Sequence, residues 1–281
     1  MCDQDHFEED MKKYTRRDMG VLAAAVGVAF ALPRAANAVD VKESEVTIKT
    51  PDGECDAYFA APTTGAHAAV LVWPDIFGLR PAFRQMGKRL AESGYAVLVV
   101  NPFYRTKHAP TASNGAQTPI PDVVPLAQTL NATTHTTDAK AFIAWLDGRS
   151  EVDKRKKVGT TGYCMGGPMV LRTAAAVPNR VGAVGSFHGG GLVTKAPDSP
   201  HLLIPQMKAS FLIAVAENDD MREPEVKDVL KADFAKAKLA AEIEVYPAAH
   251  GWCPPDTTVY NKDASEKAWS RMLALFSNAL A

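Results

Sequence analysis

Cysteine is scarce in this chain, net charge is almost absent, and no apolar run is long enough to cross a bilayer. Four cysteines in 281 residues are too few for a disulfide scaffold, and no Cys-x-x-Cys or Cys/His cluster has zinc spacing. With 31 Lys+Arg against 32 Asp+Glu the formal net charge is -1, which excludes nucleic-acid binding by a broad basic surface. There is no internal repeat, no Pro- or Gly-rich linker that would split the chain, and no Gly-x-Gly-x-x-Gly phosphate loop. A nucleotide-dependent oxidoreductase is therefore disfavoured. What is present is a 47% hydrophobic composition, too apolar for a disordered chain and suited to a compact domain with a sizeable core.

The first 38 residues read as an export signal. Lys12, Lys13, Arg16 and Arg17 form a positive front ahead of an apolar run at 20–32, and Ala36-Asn37-Ala38 gives a small-x-small cleavage site. The run is roughly half to two-thirds of a membrane span, so a signal is favoured over an anchor. Thr15-Arg16-Arg17-Asp18-Met19 resembles a twin-arginine signal, which implies the twin-arginine export machinery as a partner and a periplasmic or secreted location. Met11 is a second candidate start. Cleavage leaves residues 39–281 as one domain, expected to be a monomer without a stable membrane anchor. It also leaves three cysteines, Cys55, Cys164 and Cys253. At most one bridge can form among them, with Cys55–Cys253 or an oxidative Cys164–Cys253 link as candidates.

Strands are expected at 46–49, 55–60, 69–73, 96–100, 158–161, 181–187, 211–216 and 243–246. The first two flank the Pro51-Asp52-Gly53 turn, and the later ones alternate with helical stretches near 83–93, 134–146, 167–176, 224–238 and 264–279. Residues 101–131 read as the longest irregular segment. This pattern predicts an α/β fold with a mostly parallel eight-stranded sheet and helices on both faces. Ligands in such folds sit beyond the carboxyl ends of the strands.

Three loops at those ends carry chemistry. The strand at 158–161 runs into Gly162-Tyr163-Cys164-Met165-Gly166-Gly167 and a helix. This is a Gly-x-nucleophile-x-Gly elbow with Cys as nucleophile, and the helix N-terminus favours its thiolate. The Met165 N–H becomes one oxyanion donor. The strand at 211–216 ends in Glu217-Asn218-Asp219-Asp220, and the strand at 243–246 leads to His250. Nucleophile, acid and base thus follow in the chain order of an α/β-hydrolase, with either Asp219 or Asp220 as the acid on spacing alone. His188, before a Gly-rich loop, is a candidate for substrate contact or for a turn cap. Trp73 and Trp252 are candidates for pocket wall or core, and His135 is expected to be solvated.

The elbow, the acid and the terminal His250-Gly251 together resemble the dienelactone hydrolase (carboxymethylenebutenolidase) family over residues 45–281. The resemblance implies the α/β-hydrolase fold, no metal or organic cofactor, and a small-molecule lactone or ester substrate. It favours Asp219 as the acid. In Trp73-Pro74-Asp75-Ile76-Phe77-Gly78 it implies that the Ile76 N–H is the second oxyanion donor. Asp75 stands where the family has a Glu that modulates the thiol. Of the family's two substrate-carboxylate arginines, Arg105 is offered for one, shifted by one position, and none follows His250 for the other. Trp252 is expected near the substrate. The alternatives are a general short-chain esterase or thioesterase, and a non-catalytic periplasmic binding protein with a decayed hydrolase site.

Overall fold

The computed structural model describes residues 32–33 and 38–281. The export signal and its cleavage motif lie almost wholly outside the described residues. Eight strands form one sheet in the order β1-β2-β4-β3-β5-β6-β7-β8. They are β1 (Val41–Thr50), β2 (Gly53–Pro62), β3 (Ala69–Trp73), β4 (Ala96–Val100), β5 (Val158–Tyr163), β6 (Val181–Phe187), β7 (Ser210–Ala216) and β8 (Ala241–Tyr246). The β1–β2 and β2–β4 pairs are antiparallel and all other pairs are parallel. All eight predicted strands are present. The first hairpin closes on Pro51-Asp52, with Thr50 opposite Gly53.

The central strands are apolar throughout because both faces are covered. Along β3, Ala69, Leu71 and Trp73 point into one core and Val70 and Val72 into the other. The period of two along a strand produces that split. On the first face pack α3 (Ala132–Asp147), α4 (Gly166–Ala176) and α6 (Glu225–Ala237), through Phe142, Met169, Leu230 and Phe234. On the second lie α1 (Pro81–Glu92) and α7 (Lys262–Ala279), through Phe83, Leu90, Met272 and Phe276.

Two helices depart from the sequence expectation. Within the segment read as irregular, α2 (Ile120–Ala127) forms despite Pro121 and Pro125. Pro121 is tolerated in the first turn, where its missing N–H has no intrahelical acceptor. The other is α5 (Glu217–Arg222), a short helix that begins where β7 ends and carries both candidate acids.

Cys55 and Cys253 lie in opposite cores of the sheet as free thiols. The candidate Cys55–Cys253 bridge is therefore not formed. His135 is buried rather than solvated and accepts from Arg172 at Nδ1, 3.3 Å away. Helix α3 turns its face toward α4 there, so a polar side chain in a Thr-rich stretch is carried inside.

Candidate active site

The elbow after β5 forces the backbone of Cys164 to φ 52, a left-handed conformation that a non-glycine residue adopts only where its surroundings hold it. Two close approaches explain the flanking glycines. A Cβ on Gly162 would lie 2.2 Å from the Gly166 carbonyl oxygen, and one on Gly166 would lie 2.5 Å from the Trp73 carbonyl oxygen. The turn is pinned by hydrogen bonds from Cys164 N–H to the Phe187 carbonyl (3.0 Å) and from Gly167 N–H to the Cys164 carbonyl (3.0 Å). Cys164 thus stands at the start of α4, where the helix dipole favours negative charge.

On the neighbouring loops, His250 Nδ1 and Asp219 Oδ2 are 2.6 Å apart, and the His250 backbone N–H donates to Asn218 Oδ1 at 2.8 Å. Asp220 turns the other way and pairs with Lys227 at 2.6 Å. The ambiguity between the two acids is thereby resolved in favour of Asp219. Cys164, His250, Asp219, Asp75, Ile76 and His188 all line one cavity of about 690 Å³. Neither the Ile76 nor the Met165 N–H donates to a protein acceptor among the described residues. Ile76 lines the cavity, and Met165 directly follows Cys164 in the chain.

His188 follows β6 at φ 40, with its N–H donating to the Ala214 carbonyl at 2.8 Å. Its ring packs edge-on against His250 (centroids 5.1 Å apart) and Trp252 (4.9 Å), and it is buried. Neither ring nitrogen has a partner among the described residues. Burial, with the adjacent His250, lowers its pKa well below the ordinary imidazole range, so the ring is neutral.

One expectation is corrected and two open readings are narrowed. Arg105 is absent from the cavity; it is held by Asp138 (2.7 Å) and Asp52 (2.6 Å), beside Tyr104. Trp252 is a core residue, stacked on Tyr246 behind His188, and contributes no wall. Cys253 is buried and lines a separate small cavity with Tyr163 and Met272, and it is absent from the lining of the cavity that holds Cys164.

Sequence reasoning missed Arg80. This fully buried guanidinium grips Asp75 (2.6 and 3.0 Å) and Asp256 (2.7 and 2.9 Å), while Asp256 also accepts from Gly115 N–H at 3.1 Å. Asp75 in turn accepts from Phe77 N–H at 2.9 Å. The clasp holds the loop that carries Ile76 against the segment that follows His250. Arg80 directly precedes the Pro81 that opens α1, a sequence feature legible only as a helix start.

A model of the dienelactone hydrolase family matches residues 55–280. The chain belongs to this family. Among relatives, a carboxymethylenebutenolidase of Rhodococcus opacus is 27% identical over 241 residues, covering 83% of this chain and 90% of that protein. Two solved structures show the same fold. One is a dienelactone hydrolase-like promiscuous phosphotriesterase from metagenomic libraries, at TM-score 0.71 and 23% identity, covering 86% of this chain and 99% of that one. The other is the dienelactone hydrolase of Anabaena variabilis, at TM-score 0.62 and 18% identity, with the same coverage of each chain. As a member of the dienelactone hydrolase family, the chain is an α/β-hydrolase and an enzyme.

Proposed function

We propose that this hydrolase cleaves a lactone or carboxylic ester through an acyl-thioester on Cys164. The observation that carries the reading is the strained backbone of Cys164, which faces the cavity shared with the His250–Asp219 pair. His250 takes the Cys164 S–H proton, and the thiolate attacks the acyl carbon, forming the S–C bond as the carbonyl electrons move onto oxygen. The Met165 and Ile76 N–H groups hold that oxyanion, each donor contributing about 3 kcal/mol. As the C–O bond breaks, His250 delivers a proton to the departing alkoxide. Water, deprotonated by His250, then attacks the thioester and releases the acid and the thiol. Asp219 fixes the imidazole tautomer and stabilises the imidazolium.

Asp75 borders the same cavity. Burial holds the Asp75 carboxyl above its ordinary carboxylate range despite Arg80, and a carboxyl at this position keeps the resting thiol protonated and limits reversal of the acylation. Cys164→Ala is expected to abolish turnover of activated esters with the fold intact, while Cys164→Ser keeps a fraction. A Cys164→Ala enzyme that still turns over would overturn the assignment. Mass spectrometry of quenched enzyme should show one acyl group on Cys164.

The twin-arginine-like segment supports export to the periplasm or beyond. Replacing Arg16 and Arg17 by lysine is expected to retain the protein in the cytoplasmic fraction, and unchanged fractionation refutes export by this route.

A further inference from the structure

We infer that the pocket takes an uncharged, largely apolar ester or lactone and discriminates against substrates that carry a carboxylate. The inference rests on the lactone or ester hydrolysis proposed above and names the class of substrate.

The charges of the cavity carry it. Among the described residues, four carboxylates line the space, Asp75, Asp219, Glu223 and Glu225, against two cations, Lys195 and Arg222. Both cations are exposed, and Arg222 lies 3.4 Å from Asp219, so it leans toward the triad acid. Of the four carboxylates, Asp75 is the one buried near Cys164. Among the described residues, no cation of the lining is buried with it. The guanidinium behind Asp75 is already shared between two carboxylates, and Arg105 is committed elsewhere. A carboxylate carried into the depth of the pocket would lose water, find no buried partner and face Asp75.

The remaining depth is apolar, with Ile76, Phe77, Ile120, Leu192 and Ile213 in its walls. In that lining the buried side-chain nitrogens without a partner belong to His188. Held neutral by burial, His188 cannot act as a cationic clamp. It can exchange a hydrogen bond with an ester or ring oxygen. A volume of about 690 Å³ is ample for an acyl chain well beyond acetyl.

The test compares p-nitrophenyl butanoate with mono-p-nitrophenyl succinate, two esters of equal acyl length and identical leaving group, on the purified protein. We expect kcat/KM at least about tenfold higher for the neutral ester, given the unpaired charge of the other. Along p-nitrophenyl acetate, butanoate and hexanoate, kcat/KM should rise by about fourfold per methylene, the factor for transfer of one CH₂ from water. Equal rates for the matched pair, preference for the succinate ester, or a flat chain-length series overturns the inference and leaves ester hydrolysis standing. If no ester is cleaved and Cys164 is never acylated, the hydrolytic reading fails, and this one with it.

Discussion

Asp219 and Asp220 are chemically identical neighbours, yet they face different partners because they lie on a helix. Successive side chains on α5 are about 100° apart, so one reaches His250 and the other Lys227. Spacing alone could not separate them, since the short helix that sets the rotation leaves no clear mark in Glu217-Asn218-Asp219-Asp220. Asp219→Asn is expected to lower kcat by about 10⁴, the effect of forcing the wrong tautomer on a triad histidine. Asp220→Asn should stay within a few-fold of wild type, and steady-state kinetics on one activated ester checks both. The placement of Cys164 and His250 on one cavity was legible because the elbow glycines and the strand-end position are local signals. Arg105 and His135 were misread for the opposite reason. Their fates depend on Asp138 and Arg172, which the chain brings near only after it folds.

At the scale of elements, the Arg80 clasp has the largest predicted effect. It joins the loop after β3, the segment before α2 and the segment before α7 through charged hydrogen bonds without solvent exposure at Arg80. Removing the cation strands two carboxylates. Arg80→Met is therefore expected to cost about 3–5 kcal/mol in urea denaturation. It should also lower kcat/KM, because Ile76 loses the fixed loop on which its N–H depends. Gly166→Ala tests the elbow. Its Cβ would meet backbone at 2.5 Å, so activity should fall even where circular dichroism still reports a folded chain. Helix α2 remained hidden in the sequence because proline spacing reads as a loop, and only the small core of Ile76, Phe77 and Val123 makes a helix there worthwhile.

For the whole molecule, the sheet was readable almost strand by strand. Buried parallel strands flanked by helices produce short apolar runs at regular intervals, and that signal does not require knowledge of distant partners. Global stability should also report the two buried imidazoles. Burial, aided by Arg172 and Arg105, lowers the His135 pKa to about 3, and burial lowers that of His188 as well. Each takes up a proton in the unfolded chain near pH 6.5 and not in the folded one. The stability is therefore complete above about pH 6.5 and is lost as pH falls toward the folded values. His135→Gln should flatten the stability–pH profile between pH 6 and 4 by about 1.4 kcal/mol per pH unit, one proton's worth, in denaturation followed across that range.

Arg80 and Asp256 are 176 residues apart in the chain. During synthesis, Asp75 and Arg80 leave the ribosome long before the carboxylate that completes their cluster. Until residue 256 is available, the loop that carries Ile76 lacks one of its anchors, and His250 lies only six positions earlier in the chain. A nascent chain short of that point can fold part of the sheet, but it cannot assemble a working pocket. The proposed hydrolytic competence therefore depends on a contact between distant parts of the chain, and it is expected only once residue 256 has joined the fold.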